Sequence, residues 1–221
     1  MSTKSISRRE FLKKGSLTVA AVGLTAGGIA EAIPIPDPSE IELPSATFGR
    51  KIMNERILIA YASGLGSTAE IAAAIGQVLG SNGYSVDVTP MVENPPLEAY
   101  DAVVLGSAVR YGRWLPEAAA FVETNQDVLN RVPVALFTVH ITTLGNDPTS
   151  RQNREAFLAE IRPLLNPIDE AFFAGKFDRR GAALMLPNWL ARLIPSLDFR
   201  KWDKIQAWAE SLPALLRPYF N

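Results

Sequence analysis

RILIAYASGLGSTAEIAAAIGQVL, residues 56–79, holds three kinds of local pattern in succession. Arg56 to Ala62 is a short apolar run rich in β-forming residues, which predicts a buried strand. From Thr68 to Leu79, the apolar residues Ile71, Ala72, Ile75 and Leu79 return at helical spacing. Between them, Ser63 to Thr68 is built from glycine and hydroxyl side chains around one leucine. The stretch therefore predicts a strand, a tight loop and a helix.

The same rhythm continues outward from this unit. Strands are predicted at Ser85 to Thr89, Ala102 to Ser107, Val132 to Val139 and Glu170 to Gly175. Helices are predicted at Pro116 to Leu129, Arg151 to Leu165 and Lys201 to Leu215. Strands that alternate with helices imply an α/β fold, with a parallel sheet covered on both faces. Five strands in this rhythm suit a doubly wound sheet of order 2-1-3-4-5, whose ligand crevice lies at the carboxyl ends of strands 1 and 3.

The crevice rule puts Ser63-Gly64-Leu65-Gly66-Ser67-Thr68 at the ligand. Glycines let the backbone turn closely, the first N–H groups of the helix point outward, and the hydroxyls of Ser63, Ser67 and Thr68 add donors. This is a phosphate cradle. No Lys or Arg occurs from Ile57 to Val109, so the expectation is a dianion held by neutral dipoles, which disfavours nucleoside triphosphate chemistry. The loop resembles that of the flavodoxin family, hydroxyl-x-Thr-Gly-x-Thr, with Ser63, Gly66 and Thr68 on the pattern and Leu65 in place of its central threonine. That resemblance implies FMN as cofactor, held by its phosphate at Ser63, Gly64, Gly66, Ser67 and Thr68. The same loop also satisfies the dinucleotide pattern G-x-G-x-x-A through Gly64, Gly66 and Ala69. Its acidic ribose ligand would have to be Asp87. A glycine-rich turn that merely packs a helix on a sheet is the third reading.

The loop after strand 3 runs Gly106-Ser107-Ala108-Val109-Arg110-Tyr111-Gly112-Arg113-Trp114, with two aromatics and two arginines at the crevice. A flat, largely apolar ring needs an aromatic wall that excludes water. Tyr111-Gly112 resembles the aromatic-glycine pair of flavodoxins, which implies that Tyr111 and Trp114 flank the flavin ring near Gly112 and Ser107; the alternative for Trp114 is a helix-start residue that caps the core. Arg110 and Arg113 are placed to stabilise a reduced, anionic flavin or to attract an acidic substrate. After strand 4, the stretch Thr138 to Asp147 occupies the position where flavodoxins close over the ring, so Thr138, Thr142 and Gly145 are candidate contacts. His140 is a candidate proton shuttle. It and Arg110 are the candidate catalytic residues, beside the plainer expectation of a solvated histidine.

GSAVRYG (106–112), FAGKF (173–177) and DFRKWDKIQAWA (198–209) together resemble the menaquinone-dependent protoporphyrinogen oxidase branch of flavodoxin-like proteins. In that branch FMN passes electrons from a substrate to a membrane quinone. The segment Ala182 to Leu197 carries Arg192 as its one charge and Trp189 near its middle, which suits contact with a membrane surface or quinone, while the plainer expectation is a core-covering helix broken by Pro187 and Pro195.

The N-terminus reads as an address. Ser7-Arg8-Arg9-Glu10-Phe11-Leu12-Lys13 precedes a weakly apolar run from Gly15 to Ala30, and Ala30-Glu31-Ala32 offers a small-x-small cleavage site. The stretch resembles the twin-arginine signal of the Tat pathway at every motif position. The run is too diluted by glycine for a good membrane span. Residues 1–32 are thus expected to be a signal peptide recognised by the Tat translocase, either cleaved or kept as an N-terminal membrane anchor, 33–55 a proline-rich linker, and 56–221 the flavodoxin-like domain. The protein is expected in the periplasm or on the outer face of the cytoplasmic membrane, a place ill suited to the last steps of haem synthesis. The Tat route carries folded proteins, which fits a cofactor loaded before export.

Composition limits the chemistry further. The chain has 221 residues, no cysteine and a single histidine, so thiolate and multi-histidine metal sites are excluded and no metal is expected. Without residues 1–32 there remain 17 Lys and Arg against 21 Asp and Glu, a balance of −4 that argues against nucleic acid as a partner. The expected activity is electron transfer through flavin, with a quinone or a redox protein as partner. A non-catalytic electron carrier and a flavin-free binding module are the alternatives.

Overall fold

A computed structural model of the chain describes residues 44–49, 54–177, 190, 193 and 195–220. The expected signal peptide, most of the linker and most of Ala182 to Leu197 lie outside the described residues. The central parallel strands are β2 (Arg56–Ala62), β3 (Ser85–Pro90), β4 (Ala102–Arg110), β6 (Val134–His140) and β7 (Asp169–Ala174). They lie in the order β3-β2-β4-β6-β7, the doubly wound order expected. Two additions flank this path. β1 (Ala46–Phe48) pairs antiparallel with β3, and β5 (Arg113–Trp114) folds back on β4. Residues 46–48, expected within the linker, are thus an edge strand. Tyr61 helps to fix that edge, since its hydroxyl donates to the Pro44 carbonyl at 2.9 Å.

Alternation along the strands sorts their side chains into two cores. Ile57, Ile59 and Tyr61 face one side, where helix α1 (Ser67–Ser81) brings Ile71, Ile75 and Leu79, and helix α4 (Trp202–Leu216) brings Ile205 and Leu212. Leu58, Ala60 and Ala62 face the other side, against Phe121 and Val122 of helix α2 (Pro116–Leu129). Full burial of such a side chain contributes roughly 2 kcal/mol, so β2, buried almost throughout, anchors both layers.

The expected helix Arg151 to Leu165 is shorter in the structure and begins earlier. Helix α3 (Pro148–Glu155) starts under Asp147, whose carboxylate accepts the Ser150 N–H at 2.9 Å and caps the helix. A 3-10 turn follows at Ala156–Leu158, and turns continue to 164. Pro163, with no N–H to give, lies eight residues past the end of the regular helix and keeps helical geometry from resuming beyond the turns. Ile161 and Leu165 still reach the core from those turns. Beyond β7, a small antiparallel pair, β8 (Lys176–Phe177) and β9 (Leu197–Asp198), leads into α4. Among the described residues no helix is long and apolar enough to cross a membrane.

Candidate functional site

The carboxyl ends of β2, β4 and β6 bring three loops to one edge of the sheet. The first, after β2, turns on Gly66, whose φ of 89° is left-handed and open to glycine at no steric cost. Ser63 Oγ accepts the Gly66 N–H at 3.0 Å and fixes the turn. No side chain caps α1, so the N–H groups of its first turn face the loop concavity. Thr68 lies at the base of this turn, fully buried, and its Oγ1 has no hydrogen-bond partner. A buried hydroxyl left unpaired costs about 1–3 kcal/mol. Its position at the start of α1 is where an anion would accept from it. Space is available, because a Cβ built on Gly66 meets nothing within 4 Å. The donor set and the room fit a phosphate.

The loop is less neutral than its own sequence implies. Arg110, at the exposed end of β4, folds back until its Nη2 lies 3.0 Å from where a Cβ on Gly64 would stand. The tertiary fold thus supplies a cation that residues 57–109 lack.

β4 and β5 form a tight hook with Arg110 opposite Arg113 and Val109 opposite Trp114. Tyr111 and Gly112 turn its tip with φ of 52° and 78°, the positive pair that a two-residue hairpin demands. Glycine takes this conformation freely, whereas Tyr111 is held in a region that costs about 1 kcal/mol and is 90% exposed. Strain of this kind concentrates at functional sites, and an exposed aromatic at the crevice is available to cover a ring.

Trp114 stands differently. It is 2% exposed, and its indole N–H donates to Thr138 Oγ1 at 2.9 Å across a buried contact. Ser107, also buried, accepts the Leu115 N–H at 3.1 Å and donates to the Ala108 carbonyl at 2.8 Å. Trp114, Thr138 and Ser107 therefore tie the hook to the sheet from beneath. Their polar atoms are engaged there, while Tyr111 is the aromatic that faces outward.

The third loop follows β6. His140 ends the strand inside the protein, 5% exposed, in place of the solvated histidine expected. Its Nδ1–H donates to the Thr142 carbonyl at 2.5 Å, and its ring lies 5.6 Å from that of Phe157. Burial lowers its pKa below 6.5, with the Arg154 charge adding to that effect and the Thr142 contact opposing it. Gly145 lies close against the side chains of Asp147 and Ser150, so a Cβ there would displace the carboxylate that caps α3. Arg154, on α3, was not among the expected site residues. It donates to the carbonyls of Thr143 and Gly145 at 2.5 and 2.6 Å and so pins the loop that holds Thr142 and Gly145. Its place eleven residues after Thr143 gave no local pattern to flag it.

Beside this loop opens a cleft of about 480 Å³. Phe172 and Phe199 line it together with His140, Arg154, Lys201 and Lys204, and among the described residues no carboxylate does. Asp87, the acid that a dinucleotide would need, is elsewhere. It sits within β3 opposite Leu58, and accepts from Thr47 at 2.7 Å, Arg56 at 3.1 Å and Tyr100 at 3.0 Å. Its carboxylate belongs to the sheet edge, which removes the support for the dinucleotide reading.

The family comparison agrees with the topology. Residues 58–185, more than half of the chain, match the flavodoxin domain family. Protoporphyrinogen IX dehydrogenase [quinone] of Escherichia coli K12 is 33% identical over 88 residues, covering 39% of this chain and 49% of that protein. The chain thus spans about half the length of the curated relatives it matches. Flavodoxin 1 of Bacillus cereus is 14% identical with a TM-score of 0.49, over 75% of this chain and 99% of that one. A flavodoxin from the domain Archaea is 15% identical with a TM-score of 0.47, over 73% and 99%.

Proposed function

The chain belongs to the flavodoxin domain family, and from that premise we propose that it is an exported FMN oxidoreductase that moves electrons between an organic substrate and a quinone or other membrane partner. FMN is the cofactor, and when bound it supplies reversible electron transfer. Ser63, Gly64, Gly66, Ser67 and Thr68 hold its phosphate through backbone N–H groups and hydroxyls, with Arg110 adding charge. Tyr111 and Gly112 cover the ring from the hook. Thr142 and Gly145 lie along its edge in the loop that Arg154 fixes.

The observation that carries the enzyme reading is the cleft beside that loop. Phe172, Phe173 and Phe199, with the cations Arg154, Lys201 and Lys204, suit an organic anion with a flat apolar body. Such a recess favours an enzyme over a carrier that docks only to other proteins. The quinone direction is supported by the printed name of the E. coli relative, and export by the twin-arginine motif at residues 7–13.

The test uses purified holoprotein, reduced photochemically under nitrogen and mixed with a soluble short-chain quinone. Return of the oxidised flavin spectrum during mixing is expected. Rapid reoxidation by ferricyanide but none by quinone would contradict the quinone link and leave an electron carrier. Changing both Arg8→Lys and Arg9→Lys is expected to retain the protein in the cytoplasm, and unaltered export would refute the address.

A further inference from the structure

The C-terminal stretch that opens at Asp198 sends a buried cation to the first helix of the fold. Arg200 precedes α4, and its side chain is 6% exposed. Its Nη1 donates to Glu70 Oε2 at 2.6 Å, across 130 residues of sequence. Its Nη2 and Nε donate to the two Asp198 oxygens at 2.6 and 2.8 Å, and its guanidinium stacks 4.7 Å from the centroid of the Trp202 ring. Two further contacts hold this segment in place: the Phe199 N–H donates to the Gly175 carbonyl at 3.1 Å, and the Gly175 N–H to the His140 carbonyl at 2.8 Å. A Cβ on Gly175 would in turn stand 3.5 Å from Ser67 Oγ, in the phosphate loop itself. The C-terminal segment therefore closes against the start of α1.

Glu70 lies in the first turn of that helix, its N–H donating to the Gly66 carbonyl at 3.1 Å. A carboxylate there suits the helix dipole in the free protein. Toward a bound phosphate dianion it acts as a like charge, two residues from the orphaned Thr68 hydroxyl. A buried guanidinium that grips the carboxylate offsets its charge.

We propose that Arg200 is a positioning residue that sets the preference of this site for the phosphate-bearing flavin, FMN over riboflavin, by neutralising Glu70 at the start of α1. The inference rests on the FMN reading. Arg200 touches neither phosphate nor ring; it acts through Glu70. Burial opposes its charge, but the bonds to Asp198 and Glu70 prevail and keep its pKa above the ordinary value.

The experiment titrates the apoprotein of the full chain with FMN and, separately, with riboflavin, following flavin fluorescence, and records thermal melts in parallel. Arg200→Gln is expected to weaken FMN about fivefold while leaving riboflavin unchanged, as for one unscreened charge near a dianion in partly solvated surroundings. Glu70→Gln is expected to tighten FMN by about the same factor. The double variant should regain the wild-type FMN-to-riboflavin ratio while remaining less heat-stable, and Arg200→Lys should keep the ratio. A role in folding alone predicts that both flavins weaken together and that Glu70→Gln rescues nothing; that result would overturn the proposal. Should Arg200→Gln fail to fold, Glu70→Gln, on a side chain 28% exposed, decides by its ratio. A wild type that binds both flavins, with a ratio no variant moves, defeats this inference alone. A wild type that binds neither defeats the FMN reading and this inference with it.

Discussion

Thr68 separates the hydroxyls that build the fold from the one that waits for a ligand. Ser107 and Thr138 are equally buried, yet both have partners inside the protein. Thr68 Oγ1 has none. Thr68→Val keeps the shape and removes the hydroxyl, so two effects of opposite sign are expected. The apoprotein gains about 1 kcal/mol, because a buried unpaired group is deleted. FMN affinity falls about tenfold, because a hydrogen bond to a charged phosphate is lost. Thermal melts and a flavin titration read the two, and a destabilised apoprotein with unchanged FMN affinity would contradict this account. The sequence already marked Thr68, through its place at the end of a glycine-rich loop. It misjudged His140, because a loop was expected where β6 runs one residue further into the core. It also placed Trp114 at the ring, since an aromatic beside a glycine carries no mark of the face on which the hook will close.

At the level of elements, the hook and the loop after β6 owe their shape to contacts made by other parts of the chain. The hook is secured by Ser107 and by the pair Trp114–Thr138, the loop by Arg154. Arg154→Gln removes a charged donor from two carbonyls and should free residues 141–147. Faster amide exchange in that loop is expected, with a similar loss of affinity, roughly tenfold, for FMN and riboflavin alike, since phosphate is not involved. A loss confined to FMN would show that Arg154 acts on the phosphate instead. α1 and α2 were legible because their apolar residues repeat over three or four turns and meet a flat sheet face. α3 was not, because its eight residues bury none of their side chains and Pro163 cuts the apolar series that follows. The signal there lay in the Asp147–Pro148 start, a capping carboxylate and a proline in the first turn.

In the whole molecule, parallel pairing was legible from the alternation of buried strands with helices, even though β3 passes to β4 through 3-10 turns with no α-helix between them, and the order 2-1-3-4-5 came from matching that rhythm to a doubly wound sheet. The three-residue edge strand Ala46–Phe48 was hidden, because three residues are too few for a period and their pairing with β3 is made at long range. The site was legible as three loops at three strand ends. What joins them was not: Arg110 reaches Gly64, Arg154 reaches Thr143, and Arg200 reaches Glu70. Each is an arginine crossing between elements, and such reach leaves no spacing in the sequence. The proposed site rests on one cofactor, FMN, so the most direct test is the absorbance spectrum of the natively folded protein, followed by denaturation and identification of what is released. The account predicts flavin absorption bands and about one FMN per chain. A colourless protein that takes up no added FMN would contradict it.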